Sequence, residues 1–164
     1  MTATSYKDAN LYHDFTSGKA VTGVLHFVNQ TPIEWWTKKQ ASVECAAHSS
    51  EFAAARTAIQ QISGLRQTLR YLGVPIRETS YLSGDNESVV TSGNVPHSQL
   101  KKRHTALAFH YTREAIAVKM ITFEHLPGKM NPAHILSKHW GHSDVYPMLK
   151  ALLFYKGDTM DLIE

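Results

Sequence analysis

Hydrophobic and polar residues change their period several times along the chain, and each change marks an element. Ser5–Leu11 reads as a short strand, and Val21–Val28 (VTGVLHFV) alternates and is rich in β-branched residues, as strands are. Asn29-Gln30-Thr31-Pro32 supplies turn chemistry before Ile33–Thr37 resumes an extended pattern, which makes a hairpin. A further extended piece is expected at Ala41–Cys45. The period then shifts. Phe52, Ala55, Ile59, Ile62, Leu65, Leu69 and Leu72 recur at steps of three and four, one face of a long helix. Ser49 or Ser50 is its expected N-cap, and Gly73 with Pro75 closes it. A strand at Thr79–Ser83, a small helix at Glu87–Val90 and a basic loop at Gly93–Arg103 follow. Next come a helix at His104–Ala117, a strand at Met120–His125 and a Pro/Gly loop at Leu126–Asn131. Pro132 opens a short helix, and Val145–Phe154 forms a last one. The order β-β-β-α-β-α-α-β-α-α predicts an α/β fold with a mixed sheet and helices on its faces.

Composition narrows the class. With 164 residues, 43% apolar and 19% charged, one domain over 1–164 with a sizeable core is expected, with a main body at about 6–140 and a C-terminal helix at about 144–155. The single cysteine, Cys45, excludes an internal disulfide framework and fits a reducing compartment. No apolar run approaches the ~18 residues of a bilayer span, and the N-terminal stretch lacks a signal-peptide core, so an intracellular protein without a membrane partner is expected. The net charge of +3 is a mild pull toward polyanions.

Three carboxylates fall at informative places: Asp8 in the first strand, Glu51 in the first turn of the long helix, and Asp85 directly after the fourth strand. Brought to one sheet edge they repel one another, which raises their pKa values unless a cation neutralises them. Hard divalent ions do this well, and a pair of them can activate a water and stabilise the leaving oxygen of a phosphodiester. Spacing alone leaves a second reading open, in which each is a surface charge or, for Glu51, a helix-dipole partner.

A set of short motifs bears on that choice. Asp8-Ala9-Asn10 resembles the opening "DAD" of the ribonuclease H domain in copia-type retrotransposon Pol polyproteins. Thr22-Gly23 with Pro32-Ile33-Glu34-Trp35 is similar to that family's "TSGY…NPISW", and Thr37-Lys38-Lys39-Gln40 to its "SKKQ". Ser49-Ser50-Glu51-Phe52-Ala53-Ala54 resembles "STEAEYIAL", Leu69–Gly73 the helix end before "LG", and Asp85-Asn86-Glu87-Ser88 "DNQSA". His104 with His110–Glu114 resembles "KHIDIRYHFIRE", and Asn131–Lys138 "LADIFTK". The motifs keep the family's order from about Tyr6 to Trp140.

The resemblance implies a ribonuclease H-like fold with a mixed five-stranded sheet, three antiparallel strands and then parallel ones. It implies hydrolysis of the RNA strand of RNA–DNA hybrids with two Mg²⁺ ions, Mn²⁺ being the alternative metal. Asp8, Glu51 and Asp85 carry over as catalytic metal ligands. The fourth position is a carboxylate in the family and His134 here. Imidazole suits borderline metals better than Mg²⁺, so weakened cleavage is expected. The alternative is a catalytically impaired nucleic-acid-binding module from a decayed or domesticated element. The implied partners are the hybrid and the reverse transcriptase segment of the same polyprotein. The implied locations are cytoplasmic virus-like particles and the nucleus. Expected phosphate contacts are Lys38 and Lys39 at the hairpin exit and Lys101, Lys102, Arg103 and His104 in the basic loop.

Of the remaining residues, Trp35 and Trp36 should take opposite faces, one toward the core. His104 and His110 suit either a hybrid contact or an internal hydrogen bond, and His125 is expected to be structural. His139 and His142 lack the partners of a zinc site, and Cys45 is expected to be a small buried residue.

Overall fold

Five strands form one mixed sheet in this computed structural model, which describes residues 1–100 and 103–153. Strands β1 (Ala3–Asp14), β2 (Lys19–Val28) and β3 (Thr31–Lys39) form an antiparallel meander. Strands β4 (Ser80–Gly84) and β5 (Ile121–His125) add in parallel on the far side of β1. The order β3-β2-β1-β4-β5 puts β1 at the centre.

Helix α1 (Ala47–Tyr71) packs on β1 and β2 through Phe52, Ala55, Ala58, Ile59 and Ile62, all sealed from solvent. Helices α2 (Glu87–Asn94) and α3 (Ala106–Ala117) complete that layer around Phe109 and Phe123. The short α4 (His134–Ser137) lies on the opposite face against β1, β2 and β3, followed by α5 (His142–Leu153). Strand β2 is consequently buried on both sides from Ala20 to His26, and its inward His26 is satisfied by Ser5 Oγ at 2.7 Å and Gln61 Oε1 at 3.0 Å.

Several sequence expectations are corrected. Ala41–Cys45 is a bend-rich surface link with no strand to pair with, and Cys45 is exposed rather than buried. Helix α1 begins earlier than its hydrophobic stripe, with Ala46 at the N-cap and no side-chain cap, so Ser49 and Ser50 lie inside it. Lys101, Lys102 and Phe154 lie outside the described residues. Trp36 packs against the core while Trp35 is 64% exposed, as strand alternation requires. Among the described residues, no helix is long and apolar enough to cross a membrane.

Candidate active site

Successive side chains of central β1 leave on opposite faces, so Lys7 enters the α1 layer and Asp8 the α4 layer. Asp8 is 1% exposed. It pairs across the sheet with Gly23 of β2. A methyl at Gly23 would stand 2.8 Å from Leu136 Cβ and 2.9 Å from the Ala133 carbonyl oxygen. Only a residue without a side chain lets α4 settle beside Asp8. That helix supplies Ser137, whose hydroxyl donates to Asp8 Oδ2, and His134.

The segment is fastened at several points. Asn131 Nδ2 donates to the Lys7 carbonyl at 3.0 Å, and its Oδ1 accepts the Ala133 N–H at 3.1 Å. Thr37 Oγ1 donates to the Leu136 carbonyl at 2.7 Å, and Trp140 Nε1 to that of His134 at 2.9 Å.

Asp85 arrives by a different route. Strand β4 runs parallel to β1, with Ser83 opposite Tyr6, so both strands end on the same sheet edge. Asn86 caps α2 by accepting the Val89 N–H at 3.2 Å, which fixes the turn that carries Asp85. His134 Nε2 then lies 2.9 Å from Asp85 Oδ2 and 3.3 Å from Asp8 Oδ1. Ligand atoms of Asp8, Asp85 and His134 all fall within 4.8 Å of one another.

Glu51 approaches from α1. Its Oε1 accepts the Ala9 N–H at 3.1 Å and its Oε2 the Lys7 ammonium.

Electrostatics follow from these contacts. Burial disfavours a charged His134, but hydrogen bonds to Asp8 and Asp85 outweigh it and push its pKa up to about 9. The same bond from His134 holds the Asp85 carboxyl below its ordinary range, against its partial burial. Burial pushes Glu51 up, opposed by the Lys7 ammonium beside it. Lys138 Nζ, 3.1 Å from His134 Nε2, adds positive charge.

Two carboxylates and an imidazole at this spacing fit one divalent ion. Imidazole in the set favours Mn²⁺ or Zn²⁺ over Mg²⁺.

Of the expected nucleic-acid contacts, Lys38, Lys39 and His104 line a groove of about 500 Å³ together with Gln40 and Arg56. Lys39 is bound to Asp14 Oδ2 at 2.5 Å, and His104 Nε2 stands 3.4 Å from Glu44 Oε2. Arg103 is exposed in the turn before α3. His125 Nε2 lies 3.1 Å from the Asp85 carbonyl, and His139 stacks on His13 with centroids 4.0 Å apart.

Lys7, Asn131, Ser137 and Lys138 also belong to the site; the last three fall within the motif Asn131–Lys138, whereas no motif includes Lys7. The signal for Lys7 is its place among Ala3, Ser5 and Ala9, small residues on alternate positions of one strand face.

Solved structures share this arrangement of sheet and helices. Ribonuclease H1 from Halobacterium salinarum NRC-1 superposes with a TM-score of 0.64 at 12% identity, covering 90% of this chain and 98% of that one. The fold is that of ribonuclease H. LC11 ribonuclease H1 in complex with an RNA/DNA hybrid gives 0.64 at 15% identity, over 83% of this chain and 94% of the other. Prototype foamy virus protease-reverse transcriptase gives 0.55 at 16% identity, over 92% of this chain but only 20% of that one.

By sequence, this ribonuclease H-like chain is a weak homologue of Pol polyproteins from transposons RE2 and RE1 of Arabidopsis thaliana. The identities are 23% and 22% over 136 residues, 82% of this chain and 9% of each polyprotein. The chain thus spans a small part of the length of these relatives. No family model matches it.

Proposed function

We propose that this chain is the ribonuclease H domain of a retrotransposon Pol polyprotein, a divalent-ion-dependent phosphodiesterase that cuts the RNA strand of RNA–DNA hybrids. The observation that carries the proposal is the meeting of Asp8, Asp85 and His134 at one sheet edge from three distant segments. Asp8, Asp85 and His134 would hold the ion. Bound there, it supplies a water of lowered pKa and positive charge for the phosphodiester oxygens.

The protein's own residues do the rest. Ser137 fixes one Asp8 oxygen, and Asn131 ties the His134 segment to the backbone of β1. Lys38 and His104 at the groove, with exposed Arg103 next to His104 in the chain, would track phosphates, and hybrid recognition would rest on groove shape and 2′-hydroxyls. The adjoining reverse transcriptase segment would share the duplex. The corresponding locations are cytoplasmic particles and the nucleus.

A labelled hybrid incubated with Mg²⁺ or Mn²⁺ tests this, beside Asp8→Asn. Cleavage by the wild type that the variant loses is the expected result; cleavage unaffected by the substitution, or none with either metal, overturns it. A second reading, a module that grips hybrid without cutting, is favoured by one observation, the engagement of Glu51 by Lys7. It predicts hybrid binding without cleavage.

A further inference from the structure

Among the described residues, Lys7 is the largest side chain completely sealed from solvent. Its stem runs beside Gly84 of β4, where an added methyl would stand 2.8 Å from Nζ and closer still to Cε. The bare glycine therefore makes the channel that Lys7 fills. At its end the ammonium lies 5.7 Å from the Phe123 ring centroid and donates to Glu51 Oε2. A buried ammonium is tolerated only when paired, and its charge partner here is Glu51.

Both Glu51 oxygens are engaged, one of them by a full positive charge. The second one takes the Ala9 N–H at 3.1 Å. A metal ion seeking Glu51 would have to displace a cation that is covalently tethered at high effective concentration, and would be repelled by it at close range. Asp8, Asp85 and His134 form no hydrogen bond with Lys7 and remain grouped with one another, though within reach of its charge.

We propose that the Lys7 ammonium is the built-in counter-cation of Glu51, so that the chain binds a single divalent ion, at Asp8, Asp85 and His134, with Glu51 a positioning residue for β1. This rests on the metal-holding role given above to Asp8, Asp85 and His134, and assigns Lys7 the place where a second ion would sit.

Counting Mn²⁺ bound to the full chain tests it, by the electron paramagnetic resonance signal of free Mn²⁺ and by calorimetry. One ion per wild-type chain is expected. Lys7→Met frees Glu51, so a second ion should bind and the first should bind about tenfold more tightly. The double variant Lys7→Met with Glu51→Gln swaps the ion pair for a neutral one and should return to one ion. It also keeps the test decisive if Lys7→Met alone fails to fold. Two ions on the wild type overturn the role of Lys7 while leaving the metal-dependent nuclease intact. Loss of the ion in the double variant makes Glu51 a ligand, with the same consequence. No ion on the folded wild type overturns the metal site itself, and the Lys7 assignment with it.

Discussion

His134 Nε2 lies 2.9 Å from Asp85 Oδ2, joining residues 49 positions apart across the end of the sheet. With Asp8 Oδ1 at 3.3 Å, a proton on that nitrogen sits between two carboxylates. The charged imidazole thereby offsets the repulsion that would otherwise part them. In the proposed metal-bound state Asp8, Asp85 and a neutral His134 would hold the ion, whose charge would take over that task.

Replacing that residue should therefore change metal choice. His134→Asp gives the site a third carboxylate on the α4 side and removes the nitrogen donor. Hard oxygen ligands suit Mg²⁺, so Mg²⁺-dependent hybrid cleavage should rise about tenfold or more relative to Mn²⁺. Parallel rate measurements with the two metals check this; equal Mg²⁺-dependent rates for the two proteins would count against it.

The metal-free protein should lose stability in alkali. His134 has a folded pKa of about 9 against an ordinary 6.5, so its contribution is complete below about 6.5 and fades as pH rises through about 9. Asp85 works in the opposite sense. Its depressed pKa stabilises the fold above the ordinary carboxylate range and is lost as pH falls through the lowered value. Thermal melts in a chelator should show Tm declining between about pH 7 and 9.5, and His134→Asn should flatten that decline. A slope unchanged by the variant would refute the assignment.

Gly23→Ala should damage the site without touching a candidate ligand. The new methyl would meet Leu136 Cβ at 2.8 Å and a backbone oxygen at 2.9 Å, and the backbone has little room to yield. Overpacking of this kind costs about 1–3 kcal/mol, and the strain falls on the helix that carries His134. Denaturant titration should show the loss, and Mn²⁺ affinity should fall with it. A wild-type midpoint and affinity would show that α4 moves freely on the sheet.

Hybrid binding should separate two neighbouring lysines. Lys38 is exposed beside the groove, whereas Lys39 is already engaged by Asp14. Lys38→Ala should lower the salt dependence of binding by about one counterion, and Lys39→Ala by less. Fluorescence anisotropy across a salt series measures both slopes; equal changes would remove the distinction.

Much of this architecture is legible in the order of residues, for identifiable reasons. The β2–β3 hairpin follows from alternation around Asn29–Pro32, and the long helix from its stripe, because each is governed by local period. The stripe overstates what is buried. Helix α1 outruns the sheet it covers, so Leu65 and Leu69 are only half-buried and Leu72 is 64% exposed. Ala41–Cys45 misleads in the opposite direction, since extended-looking chain without a neighbour to bond remains a surface link. Asp8, Asp85 and His134 come together because parallel β1 and β4 share an edge and α4 returns over Gly23, and only the motifs, not the period, point to that meeting. Lys7 is invisible to any scheme that counts charge as exposure. Its burial depends on an empty position at Gly84 and an acid at Glu51, both far away along the chain.

The ties from Asn131 to Lys7 and from Ser137 to Asp8 span 124 and 129 positions. As the polypeptide leaves the ribosome, the first strand must wait until Asn131 and Ser137 have been translated before it meets these partners. A truncated product ending ahead of Asn131 would hold all five strands yet leave Asp8 without the hydroxyl and imidazole that steady it. A sheet so shortened would carry Asp8 and Asp85 without the third member of their cluster, His134.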